Sequence, residues 1–425
     1  MKRVVILCVW LFSVVAGHAQ LSLDECRRLA RENYPEIRQY DLVHQTEQYN
    51  LSNAARAWIP QLAFSAQATW QTDAPNFPKE LTGMLAQQGL EIPGLRKDQY
   101  KVALELNQTI WDGGKSVADK RIARAEAAEQ KTMTDVDLYE LEGRVDDLYF
   151  GILLLDERIA QTNLTLNLLR SNLEKVRALQ RNGVAMQSDA DVLEAELLSV
   201  GQQLIQFESS CDSYRRMLGI FIGQKVGDRK LQHPSAVQPL SGESARPELA
   251  MFAAKIDRLT AQEKMVKSSS MPRLGFFAQG YYGYPGLDYM QSMMNNDWSW
   301  NAMLGVKLSW NFGAYYTQKN NLNKLRTSRQ QVEVQRDVFL FNMNLQAAQE
   351  NGDIARLRKA IADDDRIVAL RRSVREAAES KLRNGIIDTH DLLSKITDES
   401  TASMARSMRE IELLKAIYEY KHTIN

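Results

Sequence analysis

Three landmarks of this chain occur twice, in the same order and at an offset of about 200 residues, and no other feature restricts its fold so strongly. "WIPQLAFSAQATWQ" (58–71) returns as "SMPRLGFFAQGYYG" (270–283), each with a proline near its start and a leucine two residues later. "ELNQTIWDGGK" (105–115) returns as "GVKLSWNFGAY" (305–315). "LQRNGVAMQSDADVLEAEL" (179–197) returns more loosely as "KLRNGIIDTHDLLSKIT" (381–397). A period this long marks a duplicated unit rather than a solenoid.

Within each copy the order reads helix, strand, loop, strand, long helix, turn, helix. The first copy is expected over 20–222, with strands at about 61–71 and 100–111 and helices at about 114–181 and 189–222. The second is expected over 247–425, with strands at about 272–284 and 300–312 and helices at about 314–382 and 389–422. Between them, 223–246 is rich in Pro, Gly and Ser and reads as a linker. Residues 1–19 join Lys2 and Arg3 to an apolar run and the small residues Gly17 and Ala19, the pattern of a secretory signal cut after Ala19.

Period-two alternation defines the strands. Leu62, Phe64, Ala66, Ala68 and Trp70 share one face, and Val102, Leu104, Leu106 and Ile110 share another. Ala302, Leu304, Val306, Leu308, Trp310 and Phe312 continue the pattern against Lys307, Ser309 and Asn311. The third strand is less regular, because Phe277 and Tyr281 share the parity of Arg273 and Gln279. Trp58, Trp70, Trp111, Trp298, Trp300 and Trp310 all lie at or beside expected strand ends. Strands of about ten residues with an apolar face and aromatic ends match the wall of a transmembrane β-barrel. Four strands cannot close such a barrel and open edges are not tolerated in lipid, so several chains must share one.

The helices carry a different rhythm. Leu141, Val145, Leu148, Ile152, Leu155, Ile159, Leu166, Leu169, Leu173 and Val176 step by fours and threes, with Thr162 the one polar member. Leu193, Leu197, Val200, Leu204, Phe207, Cys211, Tyr214 and Leu218 keep the same beat on the return. A sustained heptad specifies coiled-coil packing, and the run from Lys115 to Arg181 at ~1.5 Å per residue reaches roughly 100 Å. The second copy puts Asp364, Arg371 and Arg375, then Ser400, Ser403 and Ser407, at seam positions, where polar residues loosen packing.

Other function classes find little support. Removing the signal takes away two cations and no acid, so the formal charge moves from 0 to −2 and offers no basic face for nucleic acid. His44, His233, His390 and His422 are dispersed without metal-ligand spacing, and no phosphate loop or nucleophile motif occurs, so no catalytic residue, metal or cofactor is expected. Cys26 follows Glu25 rather than the small residue of a lipoprotein site; Cys26 and Cys211 allow a single disulfide in an oxidising compartment, but both fall on apolar faces of expected helices, which favours buried thiols.

Taken together, the tandem strand–helix duplication, the "WDGG" and "WNFG" junctions and the two "RNG" turns resemble the TolC-like outer-membrane efflux proteins. The resemblance implies an α+β membrane protein in which four strands per chain contribute to a homotrimeric, twelve-stranded barrel in outer-membrane lipid. Its long coiled-coil helices would form a periplasmic α-helical barrel. The implied function is the exit duct of a tripartite efflux or type I secretion system, passing cargo from a periplasmic adaptor (a membrane fusion protein) and an inner-membrane pump. By the same resemblance Asn182, Gly183, Val184, Ala185 and Asn384, Gly385, Ile386, Ile387 are the adaptor-docking tips. Trp111, Asp112, Gly113, Gly114 and Trp310, Asn311, Gly313 are the barrel-to-helix junctions. Asp391 falls where family members carry an acidic ring that narrows the pore, and Ser394 stands where a second acid would follow. A periplasmic coiled-coil adaptor or scaffold is the alternative, sharing the hairpins but not the four aromatic-tipped strands.

Overall fold

The structure, a computed structural model, describes residues 20–89, 92–235 and 245–425; the expected signal sequence and the middle of the expected linker, 236–244, lie outside the described residues. The chain divides into two units, one of Asp41–Gln130 with Phe252–Glu333, the other of the segment ending at Tyr40 with Lys131–Met251 and Val334–Asn425.

The first unit is built on one antiparallel sheet of β1 (Gln61–Trp70), β2 (Asp98–Trp111), β3 (Arg273–Tyr284) and β4 (Ser299–Ser309), ordered β1-β2-β3-β4. The register places apolar residues opposite apolar ones: Phe64 faces Leu104, Val102 faces Tyr282, and Ala278 faces Leu304. That face is open, with Phe64 73% and Leu304 75% exposed. On the opposite face Glu105 lies across from Gln279, and Gln67 across from Lys101. Phe277 and Tyr281 break the alternation because each has a specific seat on the polar face. Phe277 lies over Gly305, where an added Cβ would come within 3.0 Å of the ring. The Lys101 ammonium sits 4.6 Å from the centre of the Tyr281 ring.

The connections at one end of the sheet are not plain loops, because α3 (Lys79–Gln87) and α7 (Tyr289–Asn295) form within them. Asp288 caps α7 by accepting from the Gln291 N–H at 2.9 Å. At the other end of the sheet, α2 (Gln39–Arg56) precedes β1 and α6 (Pro247–Ser268) precedes β3. The helices α4 (Lys115–Arg181) and α8 (Gly313–Arg383) leave from that same end, and each continues into the second unit.

The second unit holds the apolar core. Its other helices are α1 (Leu23–Asn33), α5 (Gln187–Ile222) and α9 (Thr389–Ile424). Val145, Tyr149, Phe150 and Ile152 of α4 bury against Cys26 of α1 and Leu218 of α5. Further along, Leu169, Leu173 and Val176 of α4 meet Leu193 and Val200 of α5 and Leu392 and Ile396 of α9. Thr162 is accommodated in the seam because its hydroxyl donates to the Arg158 carbonyl at 2.7 Å. Cys26 and Cys211 are free and buried, and burial pushes the Cys26 thiol up to about 12.

The polar seam of the second hairpin is filled by ion pairs. Arg372 and Arg375 of α8 both reach Glu399 of α9, Arg371 reaches Asp398 at 2.7 Å, and Arg409 of α9 meets the buried Asp364. Helix α9 is anchored at its far end by His422, whose ring stacks on Tyr139 at 4.1 Å while its carbonyl accepts from the Tyr139 hydroxyl at 2.6 Å and from Arg246 at 3.0 Å. Burial, reinforced by Arg246 and Arg27, pulls the imidazole down to about 4 from 6.5. The unfolded chain therefore binds the proton first: the anchor's contribution is complete above pH 6.5 and is lost as pH falls through about 4. Thermal unfolding of the wild type between pH 7 and 4 should show this loss, and His422→Phe should flatten the slope.

Candidate functional site

The junctions turn strands into helices by different means in the two copies. A register shift between Thr109 and Trp111 lets Ile110 bulge, so that Trp111 pairs with Leu274 and joins the apolar face, which simple alternation denies it. Asp112 then collects the free N–H groups at the start of α4, accepting from Gly114 at 2.9 Å and from the Ser116 backbone at 2.6 Å. Those hydrogen bonds hold its carboxyl below the usual carboxylate range against the opposing effect of burial, which is the largest single influence. Gly113 and Gly114 sit at φ +70° and +85°, and a Cβ on Gly113 would lie 2.8 Å from that of Met271. In the second copy β4 ends at Ser309, Trp310 donates its indole N–H to the Ser270 carbonyl at 3.0 Å, and Asn311 accepts from the Gly313 N–H at 3.1 Å. Gly313 is not among the positive-φ residues, so this junction does not depend on a left-handed backbone.

Aromatic side chains gather at both ends of the sheet. Near the connections Tyr282 lies 5.3 Å from Trp298 and 5.0 Å from Trp300, and Tyr100 stacks on Trp298 at 5.6 Å. Near the helices Trp310 lies 4.8 Å from Phe312.

The two helix turns share one geometry. The Val184 N–H donates to the Leu179 carbonyl at 3.0 Å and the Gly183 N–H to the Gln180 carbonyl at 2.9 Å. In the second turn Ile386 donates to Lys381 and Gly385 to Leu382, both at 3.0 Å. This paired closure puts the residue after the last helical turn in the left-handed region, and Gly183 and Gly385 supply it at φ +74° and +68°. Asn182 and Asn384 are exposed, as are Val184 (65%) and Ile386 (68%), whereas Ala185 and Ile387 pack against one buried cluster. The structure therefore brings both turns together and leaves one apolar side chain from each in the open. Asp391 lies exposed in the first turn of α9, its backbone N–H donating to Asp388 at 2.8 Å, and Ser394 is exposed beside it.

Among the described residues no cluster of potential metal ligands occurs, and no helix is long and apolar enough to cross a membrane. The chain thus combines an open sheet, with one apolar and one polar face and aromatic ends, with paired helical hairpins. The model of the outer membrane efflux protein family matches residues 27–223. The fold is similar to that of the outer-membrane channel OprN (TM-score 0.70, 14% identity, covering 95% of this chain and 89% of that one). It is likewise similar to VceC from Vibrio cholerae (0.68, 14%, 94% and 96%) and to the CmeC outer membrane channel of Campylobacter jejuni (0.67, 14%, 95% and 85%). Comparison with curated protein sequences gave no match. The family model thus covers the first of the two copies, and the whole chain has the fold of these outer-membrane channels.

Proposed function

We propose that the protein is the homotrimeric exit duct of a tripartite efflux or type I secretion system, receiving cargo from a periplasmic adaptor and an inner-membrane pump. One observation carries this reading: β1 and β4 are the two edges of a four-stranded sheet whose apolar face is open. In lipid each unsatisfied backbone group costs several kcal/mol, so the edges must pair with those of neighbouring copies. Three copies give twelve strands, which encloses a lumen lined by the polar face and turns the apolar face to lipid. The duplicated plan then runs from 20 to 222 and from 247 to 425, with 223–246 joining the copies.

The exposed Val184 and Ile386 are the adaptor contacts in this reading, on turns whose glycines cannot be replaced without strain. Photo-crosslinkers at these two positions should capture a single periplasmic adaptor. Capture of none, with the channel intact in the outer membrane, would refute the docking role. Asp391, in three copies around the axis, forms a ring whose carboxylates repel one another and attract cations. Asp391→Asn should lower cation preference and raise the closed-state conductance in planar bilayers; unchanged selectivity and conductance would remove the ring from the account.

A further inference from the structure

The polar face of the sheet carries an uneven set of charges. Lys101, Glu105, Arg273 and Lys307 all share that face by register. Lys101 is engaged, donating to Gln279 at 2.9 Å, and Gln279 in turn donates to Glu105. Arg273 and Lys307 are exposed and have no hydrogen-bond or ion-pair partner among the described residues. They stand diagonally on adjacent strands, Arg273 opposite Ser309 and Lys307 opposite Gly275, at the end of the sheet that leads into the helices. Both line a cavity of about 600 Å³.

The acids of that cavity are already committed. Glu105 accepts from Gln279, Asp112 caps the start of α4, and Asp119 pairs with Lys115 at 2.7 Å. Phe277 and Met303 line the same cavity and supply an apolar surface beside the two cations. A guanidinium and an ammonium with no direct hydrogen-bond or ion-pair partner, next to an aromatic ring and a thioether, complement a ligand with an anionic group and an apolar body.

We infer that Arg273 and Lys307, with Phe277 and Met303, form a luminal subsite for amphipathic organic anions at the helix-proximal end of the barrel. The inference rests on the proposed trimeric barrel, which turns this face inward and repeats the pair three times. Two neighbouring cations with no direct acidic partner attract an anionic group locally, ahead of release to the outside.

The test uses single channels of the full-length protein in planar bilayers at low ionic strength, with aromatic probes added from the barrel side. Naphthalene-1-sulfonate should block current with an on-rate about tenfold above that of phenyltrimethylammonium. The difference should shrink as salt is raised to 1 M, where the Debye length falls to about 3 Å. R273Q/K307Q should abolish the preference. Equal block by both probes in the wild type, in channels of otherwise normal conductance, would overturn the subsite. Absence of any conductance from the purified protein would instead overturn the barrel on which it rests.

Discussion

Leu304→Arg should abolish the proposed trimer, whereas Met303→Arg, one residue away, should leave it intact. Leu304 is at the middle of β4, opposite Ala278 on the apolar face, and is 75% exposed in the single chain. An arginine on the lipid face at the bilayer midplane costs about 2–4 kcal/mol, so three copies cost a trimer roughly 6–12 kcal/mol. Met303 lies opposite Gln279 on the polar face, where an arginine meets water. Unheated gel electrophoresis of outer-membrane extracts should lose the slow-migrating species only in L304R. Equal behaviour of the two variants would show that the faces have been assigned wrongly.

Gly113→Val should disrupt the proposed assembly, while Gly313→Ala should be tolerated. At φ +70° a β-branched residue suffers the left-handed backbone penalty of about 1–2 kcal/mol. Its Cβ would also stand 2.8 Å from the Met271 Cβ, and overpacking of this kind adds roughly 1–3 kcal/mol. Gly313 has ordinary φ and only the Asn311 side-chain oxygen 3.2 Å from an added Cβ. The yield of heat-modifiable trimer from each variant measures the contrast. Comparable loss from both would mean that the second junction also needs its glycine for a reason the geometry does not contain.

The four strands were legible because a sheet wet on one face alternates strictly, and the heptads of α4 and α5 were legible because their seam is almost wholly apolar. What alternation cannot reveal is pairing. Phe277 and Tyr281 look misplaced in the sequence, and become intelligible only when the register sets Gly305 under one ring and Lys101 against the other. Trp111 has the parity of the polar face and reaches the apolar one through the bulge at Ile110, which no local pattern announces.

The second hairpin teaches the same lesson. Asp364, Arg371 and Arg375 read as weak points of a seam, yet Arg409, Asp398 and Glu399 answer them from the facing helix. Conversely, Arg273 and Lys307 read as ordinary outward polar residues, and their lack of a direct partner emerges only when the neighbouring acids are seen to bond elsewhere. The turns were legible as glycine-containing breaks between helices; that both close with the same hydrogen bonds, and that Val184 and Ile386 rather than Ala185 and Ile387 stay open, required the packing of α4, α5, α8 and α9.

The central claim is that one chain supplies a third of a closed wall. Native mass measurement of the protein extracted from the outer membrane in mild detergent tests it most directly. The account predicts a particle of three chains that dissociates on heating; a stable single chain, or a periplasmic protein that needs no detergent, would contradict it.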